Sequence, residues 1–226
     1  MIILKSAEEI EKMRKSGQIA AQISQKLTEK VKPGVTTKEL DRFASALIRR
    51  HKARPAFLGF RGFPASICTS VNDQIVHGIP GSYRLREGDI ISLDFGVVHQ
   101  GYYSDMAITL PVGKISEDAQ RLIEVTRSAL VSGISQMVPG NRLYDISSAI
   151  QECAESNGFS IVRDLVGHGI GQKMHEEPQI PNFGKKSTGP YLKAGMVFAL
   201  EPMVNMGGYE IRTLDDHWTV VTADGS

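Results

Sequence analysis

The sequence predicts an α/β fold of the α+β kind, in which helices pack on a curved, mostly antiparallel sheet and the chain forms two similar halves. Three observations support this prediction. Amphipathic helices that begin with capping boxes alternate with short segments rich in strand-forming residues. The order helix–helix–strands occurs twice along the chain. A length of 226 residues is enough for one domain with a substantial core.

Four helices are predicted from their caps and from apolar residues at helical spacing. Ser6 with Glu9, and Thr36 with Glu39, are capping boxes at the starts of the first two helices. Ser116 begins the third helix. The fourth carries its apolar face on Leu143, Ile146, Ile150 and Cys153. Between and after the helices, strands are predicted at Ser66–Val71, Gly88–Val98, Tyr102–Leu110, Ile161–Val166, Met196–Val204 and Trp218–Val221.

An internal repeat relates the two halves. Pro33-Gly34 and Pro139-Gly140 each separate two helices and are 106 residues apart. The segment Leu85–Asp94 matches Leu192–Glu201 without a gap: leucine, a basic residue, glycine, an apolar strand and a terminal carboxylate. We therefore predict a single domain over 1–226, with pseudo-repeat halves at about 1–111 and 112–226.

Composition excludes several classes of protein. Apolar residues make up 41% and charged residues 23%, and the net charge of +1 gives no basic field for DNA or an anionic membrane. Two cysteines are typical of a reducing compartment rather than of a secreted disulfide scaffold. No apolar run approaches the roughly 20 residues of a membrane span, and the first residues lack the layout of a signal peptide. We therefore expect a cytoplasmic protein.

Two aspartates on neighbouring strands suggest a metal site. Asp94 interrupts an apolar strand, and Asp105 lies on the next one. A turn centred on His99-Gln100 would place the two carboxylates directly opposite each other, with Cβ atoms roughly 5 Å apart. Like charges in that position are destabilising unless they share a proton or a cation, so a shared metal is the preferred interpretation. The alternative is a register slip that turns one aspartate to solvent.

Further candidate ligands follow in the second half. Glu201 lies in an apolar strand, where an unpaired carboxylate is costly, although an ion pair with Lys or Arg is the alternative. Glycines on both sides of His168 let its ring point into a site, unless it is a surface loop residue. Oxygen ligands with one imidazole favour Mn, Fe, Co or Zn. His77 and His175 also stand at turn-like positions, and each taken singly reads as an ordinary loop histidine.

The two loop histidines lie in the segments Val76–Pro80 and Met174–Pro178. With these segments and the candidate ligands Asp94, Asp105, His168 and Glu201, the sequence resembles the type I methionine aminopeptidases over essentially the whole chain. The resemblance implies the pita-bread fold, whose two pseudo-symmetric halves agree with the internal repeat. It implies that the metal ligands are Asp94, Asp105, His168 and Glu201, with Asp105 bridging two metal ions. It makes His77 and His175 contacts of the substrate and the reacting carbonyl, and Glu201 a catalytic proton acceptor. The implied methionine pocket consists of Phe57, Phe60, Phe63, Cys68 and Trp218.

The same resemblance implies an activity and its surroundings. The activity is metal-dependent removal of the N-terminal methionine from nascent proteins when the next residue is small. The cofactors are two divalent metal ions, Co, Mn, Fe or Zn. The implied partners are N-terminal Met peptides near the ribosome, and the protein is expected to be a cytoplasmic monomer that binds neither DNA nor membranes.

One feature of the family pattern is unmatched. The family has a fifth ligand, a glutamate from a strand near the C-terminus. The carboxylates near the end of this sequence stand in loop-like contexts instead: Asp215, Asp216 and Asp224. We therefore expect a domain that lacks the last strands, holds one ion or none, and has reduced activity. Two alternatives stay open: an inactive pita-bread binding module, and a pita-bread peptidase for X-Pro bonds.

Overall fold

A computed structural model describes residues 1–226 and contains four α-helices and twelve short strands. The helices are α1 (Ala7–Lys30), α2 (Thr37–Arg50), α3 (Glu117–Ser135) and α4 (Leu143–Ser156). The strands are β1 (Arg54–Pro55), β2 (Cys68–Val71), β3 (Gln74–Val76), β4 (Ile90–His99), β5 (Tyr102–Pro111), β6 (Ser160–Ile161), β7 (Val166–Gly169), β8 (Glu176–Pro181), β9 (Phe198–Ala199), β10 (Val204–Asn205), β11 (Ile211–Thr213) and β12 (Val220–Thr222). All strand pairs are antiparallel.

The predicted helix starts are confirmed by their hydrogen bonds. The hydroxyl of Ser6 accepts from the amide of Glu9 at 3.2 Å, and the Glu9 carboxylate accepts from the amide of Ser6 at 2.8 Å. Thr36 and Glu39 form the same reciprocal pair at the start of α2. Each pair satisfies two of the amides that a helix N-terminus leaves without an intrahelical partner.

Four sheets form from these strands. β5 pairs with one edge of β4 along its whole length, β2 and β1 pair with successive parts of the other edge, and β7 lies between β8 and β9. The smaller sheets are β11-β12-β3 and β10-β6. The prediction of single strands over Ile161–Val166 and Met196–Val204 is wrong, because each of these segments holds only short pieces of strand. Pro202 has no amide for a ladder, and the carbonyl of Glu201 accepts from the side chain of Asn182 instead of from a strand.

The internal repeat appears in the backbone hydrogen bonds of the two halves. The amide of Gly34 donates to the carbonyl of Leu85 at 2.7 Å, and the amide of Gly140 donates to the carbonyl of Leu192 at 3.2 Å. Isolated bridges join Thr36 to Arg84 and Arg142 to Tyr191 at the corresponding places. Each half thus uses one Pro-Gly turn to tie the start of its second helix to the segment that leads into a carboxylate-bearing stretch.

Two hydrophobic clusters form the core. The larger cluster packs α1 and α2 on β4 and includes Ile23, Leu40, Leu93 and Phe95, all fully buried. The smaller cluster packs α3 and α4 on β8 through Ile146, Ile150 and Ile180. The halves also meet where the amide of Tyr103 on β5 donates to the carbonyl of Gly171 at 2.8 Å. None of the four helices is both long and apolar enough to cross a membrane.

Asp89 supports the segment that leads into β4. Its buried carboxylate accepts three hydrogen bonds of 2.9 Å each, from the side-chain amide of Asn72, the hydroxyl of Tyr83 and the backbone amide of Arg86. We predict that Asp89→Ala lowers the free energy of unfolding by about 3 kcal/mol, because three donors lose a charged acceptor. Urea denaturation measures this change. Asp215→Ala, at an exposed aspartate, is the matched control and is expected to have little effect.

The stabilisation by Asp89 is also expected to depend on pH. Burial raises the pKa of this carboxyl, but its three donors outweigh burial and leave the pKa below the usual value. The contribution is therefore present above the unfolded pKa of about 3.9 and is lost as the pH falls through the lower folded value. The stability difference between the parent chain and Asp89→Ala should shrink below about pH 4. A difference that stays constant down to pH 2.5 would contradict this assignment.

Candidate metal and substrate site

The β4–β5 hairpin places both aspartates on one face of the sheet. Its register pairs Gly96 with Asp105, and Asp94 with Ala107. The turn is centred on Gln100-Gly101, whose φ angles of 52° and 82° are the left-handed values that a tight hairpin turn requires. The prediction that Asp94 stands directly opposite Asp105 is therefore wrong by one position of the turn. The two side chains are diagonal neighbours, and neither is turned to the other face.

Three predicted ligands come together from both halves. Asp105 on β5, His168 on β7 and Glu201 after β9 each offer a ligand atom, and these atoms all lie within 4.8 Å of one another. Nε2 of His168 is 3.1 Å from Oε1 of Glu201 and 3.6 Å from Oδ2 of Asp105. Asp94 is not part of this group of three.

The chemistry of this cluster fits a cation. Nδ1 of His168 lies 2.8 Å from the carbonyl oxygen of Gly169, so the proton of a neutral ring is held there and Nε2 presents a lone pair. Oε1 of Glu201 is buried and has no hydrogen-bond donor when the His168 ring is in this neutral form. In that form the cluster consists of three acceptors, and only a cation, either a proton on Nε2 or a metal ion, can join them. Such a set, with carboxylate oxygens and one imidazole, suits a divalent transition metal.

The pKa values of His168 and Asp94 are shifted by the carboxylates that lie close to them. Burial opposes protonation of His168, but the carboxylates of Asp105 and Glu201 raise its pKa to about 10. Burial raises the pKa of Asp94, and the charges of Asp105 and Glu201 raise it further. Without a metal, a proton on the imidazole is the cation that the carboxylates hold. A metal ion at this site would take the place of that proton.

His175 lies beside the cluster, and His77 is close enough for the charge of Asp105 to affect its pKa. His77 follows β3 with a φ of 60°, and the next residue must be glycine because a Cβ on Gly78 would collide with the carbonyl of Thr69. The ring of His175 is perpendicular to that of His168, with ring centres 4.2 Å apart. Burial lowers the pKa of His77. Burial and the charge of His168 lower the pKa of His175 to about 4.

The predicted pocket residues form apolar contacts beside the carboxylates. Phe63 packs edge-on against Trp218 at 5.1 Å and against Phe57 at 6.5 Å between ring centres. Cys68 belongs to the same cluster and is the cross-strand partner of Asp94. Phe60 shares a second apolar cluster with Phe57 and packs against the ring of His175, with ring centres 5.3 Å apart. The five predicted pocket residues therefore all lie near the site, and their role as a pocket stays a prediction.

Sequence reasoning missed several residues around the site. Ile79 packs against the pocket cluster, and the buried Asn182 donates to the carbonyl of Glu201 at 2.7 Å. Lys5 forms a buried ion pair with Glu176, the residue after His175. An acidic residue beside a motif histidine was visible in the sequence, but its partner near the other end of the chain was not.

The later carboxylates do not belong to the cluster. Asp216 accepts hydrogen bonds from the amides of Trp218 and Thr219, both at 2.8 Å. Asp224 accepts from the amide of Gly208 at 2.8 Å. Asp215 is exposed. None of the three lies among the side chains that converge on His168.

A cavity of about 290 Å³ reaches the cluster from α1. Its lining is mostly apolar and comes from α1, β5 and β9, with Asp105 as the one residue shared with the cluster: Ile10, Met13, Arg14, Tyr103, Ser104, Asp105, Ile170, Val197, Phe198 and Ala199. None of the five predicted pocket residues contributes to this lining. The cavity is therefore distinct from the predicted methionine pocket.

Comparison with known proteins places this geometry in a family. Residues 11–221 match metallopeptidase family M24. A methionine aminopeptidase from Clostridium perfringens is 57% identical over 225 residues, which covers 100% of this chain and 90% of the relative. The chain belongs to the methionine aminopeptidases of metallopeptidase family M24. This membership confirms the family and the fold class that the sequence motifs predicted.

Solved structures agree with that membership. The crystal structure of methionine aminopeptidase from Thermotoga maritima superposes with a TM-score of 0.98 at 42% identity, covering 100% of this chain and 91% of that one. The prolidase from Pyrococcus horikoshii superposes with a TM-score of 0.77 at 25% identity, covering 89% of this chain and 56% of that one. The X-Pro peptidases therefore share the fold at greater distance.

We predict that Asp105→Asn lowers the affinity for Co²⁺ at least about tenfold, because a charged ligand of the cluster becomes neutral. The metal-free variant should be more stable than the metal-free parent by up to about 1 kcal/mol, since the repulsion between neighbouring carboxylates is relieved. Calorimetric titration and thermal melts in chelator measure the two effects. Asp94→Asn should act in the same directions.

Asp215→Asn is the control for both measurements, because Asp215 is exposed and stands away from the cluster. If the metal-free Asp105→Asn and Asp94→Asn variants both unfold more easily than the parent, the carboxylates stabilise the fold through structural ion pairs. That result would contradict a cation site.

Proposed function

We propose that this chain hydrolyses the first peptide bond of proteins and peptides that begin with methionine, when the second residue is small. The observation that carries the proposal is that the predicted pocket residues pack together next to the acceptor cluster. Cys68 faces the pocket from β2, and its cross-strand partner Asp94 faces the carboxylates. A thioether side chain in the pocket would therefore leave its own peptide carbonyl close to the cluster. Sulfur and aromatic edges make favourable contacts.

The two loop histidines suit the stabilisation of a carbonyl oxygen. Because their pKa values are lowered by burial, both rings are neutral near pH 7 and each keeps one N–H to donate. Donors held in place beside the reacting carbon stabilise the negative charge that develops on its oxygen. We assign this role to His77 and His175.

Glu201 is the residue best suited to carry a proton. Burial raises the pKa of its carboxyl, so this pKa lies closer to neutral pH than the pKa of an exposed glutamate. In the proposed reaction Glu201 accepts the proton of the attacking water and delivers it to the leaving amine as the C–N bond breaks. Two divalent ions, when bound by Asp94, Asp105, His168 and Glu201, would supply Lewis-acid polarisation and a lowered pKa of water.

The remaining parts of the proposal follow from the family resemblance. They are Co, Mn, Fe or Zn as the metals, a preference for a small second residue, a monomeric enzyme, and action on nascent chains near the ribosome in the cytoplasm. The alternatives make different demands on the site. An X-Pro peptidase has no need of a deep aromatic pocket for the first side chain, and a binding module has no need of convergent acceptors that repel one another.

Peptide hydrolysis separates these functions. The chain is incubated with Co²⁺ or Mn²⁺ and either a Met-Gly-x or an x-Pro peptide, and its metal content is measured by elemental analysis. We expect kcat/KM for Met-Gly-x to exceed that for x-Pro peptides at least about 100-fold, which corresponds to about 2.7 kcal/mol of discrimination. Preference for x-Pro would support the second function. Metal binding without hydrolysis of either peptide would support a binding module.

We predict that His77→Ala lowers kcat/KM for Met-Gly-x at least about 100-fold, because a donor to the developing oxyanion is lost. The matched control is His51→Ala, at the C-terminal end of α2, where only the backbone amide of the residue is used. Circular dichroism checks that both variants fold. Parent-like kinetics for His77→Ala would remove this histidine from the site.

A further inference from the structure

The loop from Gly171 to Glu176 carries His175 between β7 and β8. Its own hydrogen bonds are few: the amide of Gly171 donates to the carbonyl of Lys173, and the amide of Lys173 donates to Oε1 of Glu176, both at 3.1 Å. The position of the His175 ring therefore depends on contacts that the loop makes with other elements.

One of these contacts is a buried ion pair. Nζ of Lys5 bonds to Oε2 of Glu176, and the two side chains are only 4% and 6% exposed. Lysine is almost never buried to this extent unless it is paired. Lys5 is itself fixed, because its amide donates to the carbonyl of Gly195 at 2.7 Å. The segment before α1 thus connects the Gly195 turn to the loop that carries His175.

Gly171 packs tightly against this ion pair. A Cβ on Gly171 would collide with Cε of Lys5 and with the carboxylate of Glu176. A second connection runs parallel to the first: Gln172 donates to the hydroxyl of Tyr102 at 2.9 Å, and that hydroxyl donates to Glu9 at 3.0 Å. The loop is therefore held against the N-terminal end of α1 at two points.

We propose that Lys5 and Glu176 are positioning residues for His175, which hold the histidine loop in place beside His168. A buried ion pair contributes little net stability compared with apolar residues of the same volume, but it accepts only one arrangement of its partners. Here that arrangement determines where the residue next to Glu176 stands. The inference rests on the proposed function, because the position of His175 affects catalysis only if His175 acts in peptide hydrolysis.

Lys5→Met tests the proposal, because methionine keeps most of the volume and removes the charge. We expect kcat for Met-Gly-x to fall at least about tenfold, with KM and Co²⁺ affinity within about threefold of the parent, since the pocket and the cluster are untouched. Hydrogen exchange of the amides of Tyr103, Gly171 and Lys173 should quicken, while the amides of β4 keep their protection. Lys5→Met combined with Glu176→Gln should recover at least threefold in kcat, because no unpaired charge is then buried.

Lys26→Met is the matched control. It removes a lysine of α1 whose ion pair with Glu29, at 2.9 Å, is exposed, and it should leave kcat and exchange unchanged. Parent-like kcat in Lys5→Met, or a loss of protection spread evenly over the whole chain, would overturn the proposal. An inactive parent chain would overturn the proposed function instead, and the local exchange of the 171–176 loop would still decide whether the ion pair orders it.

Discussion

The hydrogen bond between Nδ1 of His168 and the carbonyl of Gly169 determines what the rest of the site can be. With one ring proton held there, Nε2 is the atom that faces the carboxylates of Asp105 and Glu201, and it can bind either a second proton or a metal ion. Three acceptors in a partly buried space repel one another unless a cation joins them. The fold must therefore be rigid enough to bring these groups together against their repulsion, and its architecture can be understood from that requirement.

The two halves supply this rigidity in the same way. In each half a Pro-Gly turn donates to a buried leucine, Leu85 or Leu192, which starts the segment that leads to Asp94 or Glu201. Helices then cover each segment from one side through fully buried apolar residues. The free energy that holds the carboxylates in place comes from packing in the two cores, outside the cluster itself. This separation allows acidic groups to vary in protonation or metal content while the scaffold stays intact.

The sequence predicted the features that local rules control. The capping boxes at Ser6 and Thr36 and the internal repeat were legible because their residues are close in sequence or recur at a fixed offset. The exact hairpin register was not, because it depends on Gln100 and Gly101 taking left-handed conformations rather than on the apolar pattern of β4. Moving the turn by one position shifts the strand register by two residues. The cross-strand partner of Asp94 therefore changes, while its side chain stays on the same face of the sheet. The structure brings Asp105, His168 and Glu201 together, and it pairs Asp94 with Ala107 instead of Asp105.

Long-range polar contacts were beyond the sequence for a different reason. Lys5 and Glu176 are 171 positions apart, and each reads singly as an ordinary surface charge. Their burial is decided by the close approach of Gly171 and Gly195 to the segment before α1, where side chains larger than hydrogen would collide with Lys5. Glycine in these loops therefore has two consequences: it lets the backbone approach, and it leaves room for an ion pair that restricts the loop afterwards. The loop that carries His175 is thus held by a residue that belongs to neither the cluster nor the pocket, and the geometry of the site depends on the segment that precedes α1.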